Sequence, residues 1–160
     1  MIRSATVEDS AEIVGIYNWY VENTIISFEE DSLSVEQMQQ RLGQSDSHSP
    51  WFVLEEVGEL IGFAYGAHWK SRSAYRFSRE TSIYLRHDRQ GQGRGKKLYA
   101  YLIDELRKTP IHTLLAGITL PNEASVALHE KLGFEKCGQF KRVGMKFDKY
   151  IDVGYWQLIL

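Results

Sequence analysis

The first part of the chain carries an apolar pattern that is typical of a helix. Four apolar side chains recur at steps of three and four residues and therefore share one helix face: Ile13, Ile16, Tyr17 and Tyr20. Two residue pairs have the spacing of the capping boxes that begin helices: Thr6 with Asp9, and Ser34 with Gln37. The sequence therefore predicts one helix after Thr6 and a second after Ser34.

Runs of β-branched and aromatic residues predict strands over residues 1–5, 51–57, 60–67, 81–85, 112–119 and 155–160. The Gly58-Glu59 pair predicts a hairpin between the second and third of these strands. Two more helices lie among the later strands. One carries Leu98, Leu102 and Leu106 and ends before Pro110, and the other covers residues 122–132 and is followed by Gly133.

This order of elements predicts a mixed α+β fold. The second half alternates strand, helix, strand and helix, which is the order found in a parallel crossover unit. Ligands of such units bind beyond the carboxyl ends of the strands. The second half is therefore the first place to search for a functional site.

Length and composition narrow the class of protein. A chain of 160 residues predicts one domain, residues 1–160, and 43% hydrophobic with 25% charged residues is ordinary globular usage. With 19 basic and 21 acidic residues the formal charge is −2, which argues against general nucleic-acid binding. No apolar run approaches the roughly 18 residues that cross a bilayer, and no apolar signal segment is visible at the N-terminus.

Cys137 is the only cysteine of the chain. One cysteine forms no internal disulfide and gives no zinc-ligand spacing, so its role is expected to be structural. This usage fits a reducing compartment. We therefore expect a cytoplasmic protein with no metal ion and no membrane or nucleic-acid partner.

The strongest chemical signal is a glycine turn at residues 90–96, with the sequence QGQGRGK. It follows a predicted strand and opens a helix, where backbone N–H groups and the helix N-terminus favour an anion. The spacing fits neither the GxxxxGK[ST] phosphate loop nor the GxGxxG dinucleotide motif. It does fit the pattern [QR]xxGx[GA], as Gln90, Gly93 and Gly95. A glycine-rich surface turn with solvated charges remains the alternative.

The turn resembles the pyrophosphate-binding turn of the GNAT N-acetyltransferases. Residues 122–125 and 132–134 resemble the second signature of that superfamily, an Asn that opens a helix ending in LGF. More narrowly, the chain is similar to the phosphinothricin and methionine sulfoximine acetyltransferases. The matching stretches run nearly from end to end: residues 69–75, 80–85, 116–118, 120–122, 127–130, 143–147 and 152–158.

The resemblance implies a central, mostly antiparallel mixed sheet that is flanked by helices and splayed between its fourth and fifth strands, with acetyl-CoA in the splay. Strand residues would pair with the pantetheine arm as another strand would: Ile83, Tyr84 and Leu85. The glycine turn would hold the pyrophosphate: Gly91, Gln92, Gly93, Arg94, Gly95 and Lys96. Nearby arginines and lysines would add positive charge: Arg89, Arg94, Lys96 and Lys97. Asn122 would hydrogen-bond the cofactor near its thiol end.

The resemblance also implies direct attack of an amine on the acetyl group through a tetrahedral intermediate. Glu80 corresponds to the family's proposed base, acting through a water, although a solvated edge carboxylate is the alternative. A backbone N–H beside a strand bulge at Leu85 is the candidate oxyanion donor. His129 stands where many GNAT enzymes have a Tyr that acts as acid toward the thiolate. It would act as that acid, hydrogen-bond the sulfur, or serve as an ordinary helix histidine.

The resemblance implies a small amino-acid-like acceptor and a homodimer. Substrate-side residues match the family's loop: Arg72, Ser73, Ala74 and Tyr75. Phe28, Lys146 and Phe147 are further candidates for substrate contacts. In one arrangement they would reach the substrate across a dimer interface. Three alternatives stay open: another amine acceptor such as a protein N-terminus, polyamine or aminoglycoside, a non-catalytic CoA-binding regulator, or a nucleotide-binding loop protein.

Overall fold

Seven strands form one sheet in the computed structural model, which describes residues 1–160. The strands are β1 (Ile2–Ser4), β2 (Trp51–Glu56), β3 (Glu59–His68), β4 (Ser78–Leu85), β5 (Thr113–Leu120), β6 (Glu135–Lys146) and β7 (Lys149–Ile159). Their order across the sheet is β1-β2-β3-β4-β5-β7-β6. All neighbours are antiparallel except β4 and β5, which are parallel. The predicted mixed fold is confirmed.

Four helices cover the two faces of the sheet: α1 (Ser10–Asn23), α2 (Val35–Leu42), α3 (Arg94–Arg107) and α4 (Glu123–Lys131). Helices α1 and α2 share a core with the face of β2 that carries Trp51 and Val53. Helix α3 shares the other core with Phe52 and Leu54, and α4 packs against that core. Since successive strand residues point to opposite faces, the two helix pairs lie on opposite sides. None of the helices has the length and apolar character needed to cross a membrane.

Local capping chemistry fixes where the helices begin. Both predicted capping boxes are present, the first opening a 3-10 turn over Val7–Asp9 that leads into α1. Asn122 caps α4 by accepting a hydrogen bond from the Ser125 N–H at 3.1 Å. Gly133 follows α4 with φ of +92°, a conformation in which glycine is favoured after a helix.

The fourth and fifth strands part soon after they begin. They pair only from Ser78 opposite Thr113 to Glu80 opposite Leu115. Beyond these positions β4 remains paired with β3 as far as Leu85, and β5 remains paired with β7 as far as Leu120. Each therefore has one backbone edge that faces its parted neighbour without a strand partner. The splay between the fourth and fifth strands is confirmed.

Three details differ from the expectations. The β2–β3 turn is Val57-Gly58, with φ of +52° and +79°, one residue before the predicted pair. The irregularity in pairing lies between β2 and β3 at Leu54/Glu55, whereas β3 and β4 pair regularly through Leu85, so the expected bulge at Leu85 is wrong. Strand β6 was not predicted, because most of its side chains are exposed and its pairing is interrupted between Phe140 and Gly144.

Replacing Gly62 by Ala tests the close approach of β3 and β4. A Cβ there would lie 2.6 Å from the Tyr84 carbonyl oxygen and 2.5 Å from Cδ2 of Leu85. Because a paired backbone must then shift, we expect the free energy of unfolding to fall by about 1–3 kcal/mol, measured by urea denaturation.

Gly15→Ala is the matched control, because Gly15 lies within α1 with no atom within 4 Å of its Cβ position. That variant is expected to gain about 0.5–1 kcal/mol, as Ala replaces Gly in a helix. A Gly62→Ala variant as stable as wild type would contradict the predicted clash.

Candidate active site

The parted strands enclose a narrow cleft of about 50 Å³. Ile83 and Tyr84 line it from β4, and Asn122 lines it from the start of α4. Leu85 does not line it, and its carbonyl oxygen accepts a hydrogen bond from the Tyr20 hydroxyl at 2.5 Å. The cleft therefore brings together two of the three predicted strand residues with the predicted Asn.

Thr119 adds a polar group to the cleft that the sequence did not suggest. Its Oγ1 is the one buried side-chain oxygen or nitrogen without a hydrogen-bond partner. The residue lines both the cleft and the larger cavity beside it. An unpaired buried hydroxyl costs roughly 1–3 kcal/mol, so a ligand group that pairs with it would stabilise the site.

The glycine turn before α3 is shaped to hold an anion. Gly91, Gln92 and Gly93 have φ of +87°, +54° and +74°, so the chain turns tightly there. The backbone N–H groups of Gln92, Gly93, Gly95 and Lys96 donate to no acceptor within the chain. The Arg94 N–H is already used, because it donates to the Gly91 carbonyl at 3.2 Å. Unpaired N–H groups at a helix N-terminus are the usual phosphate site.

Side chains from three elements fix the position of this turn. Gln90 donates from Nε2 to the Tyr20 hydroxyl at 2.9 Å, and that hydroxyl in turn donates to Leu85 at the end of β4. Arg94 pairs with Glu56 at 2.9 Å, and Arg89 pairs with Glu59 at 3.0 Å.

The charge at the turn differs from the expectation, because two of the four cations, Arg89 and Arg94, are neutralised by these carboxylates. Lys96 and Lys97 are exposed and make no ion pair. They are the cations left to face an anion at the turn.

Glu80 stands where β4 and β5 part. It is half-buried, and its carboxylate has no hydrogen-bond partner in the chain. Burial raises the pKa of its carboxyl above the ordinary value, and the Lys70 ammonium offsets part of that rise. A carboxylate that is poorly solvated and unpaired is suited to accept a proton.

Gly117 on β5 makes room for this carboxylate. A Cβ at Gly117 would lie 3.4 Å from Oε1 of Glu80 and 3.3 Å from Cε1 of Tyr155. Neither Gly117 nor Tyr155 was predicted as a site residue. A glycine inside a strand, where it weakens pairing, was the signal available in the sequence.

Glu80 opens into a first cavity of about 720 Å³, whose lining also includes Phe28, Glu29, Gly117 and Tyr155. A neighbouring second cavity of about 640 Å³ is lined by Trp69, Lys70 and Tyr75, among others. Phe28 and Tyr75 thus belong to different cavities. Arg72, Ser73 and Ala74 lie exposed around a 3-10 turn and line neither.

Glu29 is a second carboxylate of the first cavity that the sequence did not suggest. It pairs with Arg41 and accepts a hydrogen bond from the Tyr17 hydroxyl, which also lies 2.9 Å from Oγ of Ser27. Burial acts to raise the pKa of Glu29, but the Arg41 and Tyr17 partners outweigh it and hold the pKa below the ordinary value. Glu29 therefore stays ionised.

Lys146 does not face either cavity. It is buried, and its ammonium donates to the Val21 and Ser27 carbonyl oxygens, both at 2.7 Å. The expectation that Lys146 contacts substrate is replaced by a structural role, in which it holds the segment that carries Phe28. Phe147, the other candidate, is exposed beyond the end of β6 and lines neither cavity.

Both ring nitrogens of His129 are engaged. Nδ1 lies 2.7 Å from the Ser125 carbonyl oxygen, which only accepts, so Nδ1 carries the proton. Nε2 then accepts from the Tyr99 hydroxyl at 3.1 Å, and Tyr99 lies 2.6 Å from Oγ1 of Thr81. Burial lowers the pKa of the imidazole, and the Ser125 bond offsets part of that shift. In this arrangement the ring carries no proton that points into the cleft.

No group of three or more His, Cys, Asp or Glu side chains is placed to hold a metal ion.

Comparison with known proteins adds a family match, because the model of the acetyltransferase (GNAT) domain covers residues 2–154. The chain belongs to the GNAT acetyltransferase family. This GNAT protein is therefore an acetyltransferase.

Curated relatives cover almost the whole GNAT chain. The phosphinothricin N-acetyltransferase of Streptomyces viridochromogenes is 35% identical over 156 residues, 98% of this chain and 85% of the relative. The L-methionine sulfoximine/L-methionine sulfone acetyltransferase of Salmonella typhimurium is 36% identical over 99% of this chain and 94% of its own.

Solved structures agree with the fold throughout. A phosphinothricin acetyltransferase from Sinorhizobium meliloti in complex with acetyl-CoA has a TM-score of 0.95 and 34% identity, covering 100% of this chain and 88% of its own. A ribosomal-protein-alanine N-acetyltransferase from Brucella melitensis has a TM-score of 0.97 and 38% identity, covering 100% and 99%.

Gly93→Ala tests the glycine turn of this GNAT protein. Gly93 has φ of +74°, where a Cβ costs about 1–2 kcal/mol. Because the strain would disturb the N–H groups that are predicted to bind the cofactor phosphates, we expect KM for acetyl-CoA to rise about tenfold, with little change in kcat. Steady-state kinetics with varied acetyl-CoA measure it.

Gly15→Ala is again the control, since Gly15 has no atom within 4 Å of its Cβ position, no left-handed φ and no place in the cleft or in either cavity. It is expected to keep the wild-type KM. An unchanged KM for acetyl-CoA in Gly93→Ala would show that the turn does not hold the cofactor.

Proposed function

We propose that the protein transfers the acetyl group of acetyl-CoA to the α-amino group of a small amino-acid-like acceptor, of the phosphinothricin, methionine sulfoximine or methionine sulfone type. The observation that carries the proposal is the unpaired, half-buried Glu80 carboxylate, which stands where the cofactor cleft opens into the first cavity. The names of the relatives supply the acceptor class.

The chain offers the groups that acetyl-CoA needs. The cofactor supplies an acetyl group activated as a thioester. The open edge of β4 at Ile83 and Tyr84 suits an extended amide-bearing arm, which would bind as an added strand. The unpaired N–H groups of the turn suit its diphosphate. Asn122 and Thr119 line the cleft with polar groups that suit the thioester end.

The first cavity favours an ammonium group. Its only charged side chains are the carboxylates of Glu29 and Glu80. An amine arrives mainly as an ammonium ion, with a pKa of about 10 for a lysine-like amine, and must lose a proton before it attacks. Glu80, whose pKa is raised by burial, takes that proton directly or through one water.

His129 acts in this scheme as a positioning residue. Its Nδ1 bond to Ser125 fixes the ring within α4, its Nε2 bond to Tyr99 joins α4 to α3, and Tyr99 reaches Thr81 beside Glu80. The leaving thiolate, with a pKa of about 8.5 by analogy with Cys, is only weakly basic. Neutral donors such as the Asn122 amide are sufficient to stabilise it.

An acceptor panel tests the function. Release of free thiol is followed with phosphinothricin, methionine sulfoximine, methionine sulfone and a peptide with an N-terminal alanine. We expect kcat/KM for the small acceptors to exceed that for the peptide at least about tenfold, because the curated relatives that match nearly the whole chain are named for small amino-acid-like acceptors. Preference for the peptide would transfer the assignment to a protein N-terminus, as named for the Brucella melitensis structure.

Glu80→Gln tests the base in the same assay. We expect kcat to fall about 10²–10⁴-fold. Because activity requires the ionised carboxylate, we expect wild-type kcat/KM to rise with pH, with a midpoint above the ordinary carboxyl pKa of 4.5. The variant has no carboxyl group at this position and is expected to lack this acidic limb. Glu135→Gln, an exposed carboxylate on β6, is the control. Wild-type turnover by Glu80→Gln at every pH would remove Glu80 from the mechanism.

A homodimer, and a cytoplasmic location where acetyl-CoA is available, are part of the proposal. Support for the dimer comes from the edge strand β6, the turn after it and the start of β7, where five large apolar side chains are 51–59% exposed: Phe140, Val143, Met145, Phe147 and Tyr150. Isolated apolar side chains on a surface are normal, but a cluster on a sheet edge is typical of an interface.

Met145→Glu is expected to turn the dimer into a monomer, because a charge would be buried against a second copy. Size-exclusion chromatography with light scattering measures the mass. Val57→Glu is the control, since Val57 is fully exposed at the distant β2–β3 turn. A monomeric wild-type protein would end the proposal of a dimer.

A further inference from the structure

The two large cavities lie side by side on one face of the sheet. Glu80 and Ser82 of β4 line the first, and Ser78 of the same strand lines the second, so all three share the face given by alternate positions. Phe140 and Tyr155 line both cavities and form their common boundary. A small molecule bound at the boundary therefore reaches both.

Charge is sorted between the cavities. The first has two carboxylates, Glu29 and Glu80, and no cationic side chain in its lining; because Glu29 is paired with Arg41, Glu80 is the carboxylate left for a ligand. The second has one charged side chain, Lys70, and no carboxylate. A zwitterion placed across the boundary would meet charge of the opposite sign at each end.

We propose that the second cavity is the subsite for the acceptor's carboxylate, with the Lys70 ammonium as its charge partner and the Tyr155 hydroxyl as a donor at the boundary. The acceptor's amino group then faces Glu80, and its side chain occupies the rest of the first cavity. This inference rests on the proposed function and names how the same site recognises an α-amino acid.

Lys70 has its charge available for a ligand. It makes no ion pair or hydrogen bond within the chain, and its ammonium lies 5.3 Å from the centre of the Trp69 ring. This cation–π contact holds the side chain at the rim of the second cavity. Burial raises the pKa of Glu80 and the Lys70 ammonium offsets part of that rise, so the field of Lys70 extends to the base.

Neutral donors complete the subsite. The Tyr155 hydroxyl has no hydrogen-bond partner in the chain. Burial and, to a smaller extent, the nearby Glu80 carboxylate raise the pKa of Tyr155, so its O–H group stays protonated. The hydroxyl of Ser78 and the amide of Gln157 line the same cavity and are also unpaired. A carboxylate, which only accepts hydrogen bonds, matches this set of donors.

Kinetics with L-methionine sulfone and its carboxamide test the subsite in wild type, Lys70→Gln, Lys70→Arg and Lys136→Gln. Lys136 is a matched control, because it is also exposed and its ammonium lies 5.4 Å from a Trp156 ring, but it lines neither cavity. At a pH above the acidic limb set by Glu80, we expect Lys70→Gln to raise KM for methionine sulfone about five- to tenfold, with kcat and KM for acetyl-CoA little changed.

The carboxamide separates charge recognition from packing. In wild type, KM for the carboxamide is expected to exceed KM for the acid, and Lys70→Gln is expected to leave KM for the carboxamide unchanged. Lys70→Arg is expected to keep most of the preference for the acid, and Lys136→Gln all of it. Equal effects of Lys70→Gln on acid and carboxamide, or no effect on either, would overturn the subsite.

Failure of the proposed function gives a different result, in which wild type acetylates neither compound. The subsite is then judged by calorimetric binding of the acid and carboxamide to wild type and Lys70→Gln. Equal affinities of wild type for the two compounds would overturn it, and a preference for the acid that Lys70→Gln removes would support it.

Discussion

The rest of the structure depends on one constraint. Strands β4 and β5 are neighbours in the sheet, but most of their facing backbone groups make no hydrogen bonds to each other. The strands pair at three positions only, yet each is held along its other edge by β3 or β7. A backbone group that is buried without a partner costs free energy comparable to a lost hydrogen bond. The open edges are therefore stable only where water or the polar groups of a ligand reach them.

The packing behind the cleft sets how far the strands part. Leu98, Leu102 and Leu106 of α3 are fully buried in the core on that side of the sheet. Within this core, Tyr99 and His129 form a hydrogen-bonded chain that ends on Thr81 of β4. A fully satisfied polar network of this kind favours one arrangement of its elements over others. Cleft width is therefore fixed by both apolar contacts and directional bonds.

Features set by neighbouring residues were predictable, and features set by pairing between distant segments were not. The Ser34–Gln37 capping box and the glycine turn depend on local chemistry and could be recognised in the sequence. Gly117 gains its importance only because β5–β7 pairing places it opposite Tyr155. The engagement of His129 depends on Tyr99, 30 residues away. The Val57 turn was misplaced because a β-branched residue seldom adopts φ of +52°.

The buried ammonium of Lys146 has a consequence for the acceptor site. It joins the end of β6 to the last turn of α1 and to Ser27 in the wall of the first cavity. Since these bonds are shielded from water, pulling the β6–β7 hairpin away from the cavity wall would leave a buried ammonium and two carbonyl oxygens without partners, and the hairpin is therefore anchored to that wall.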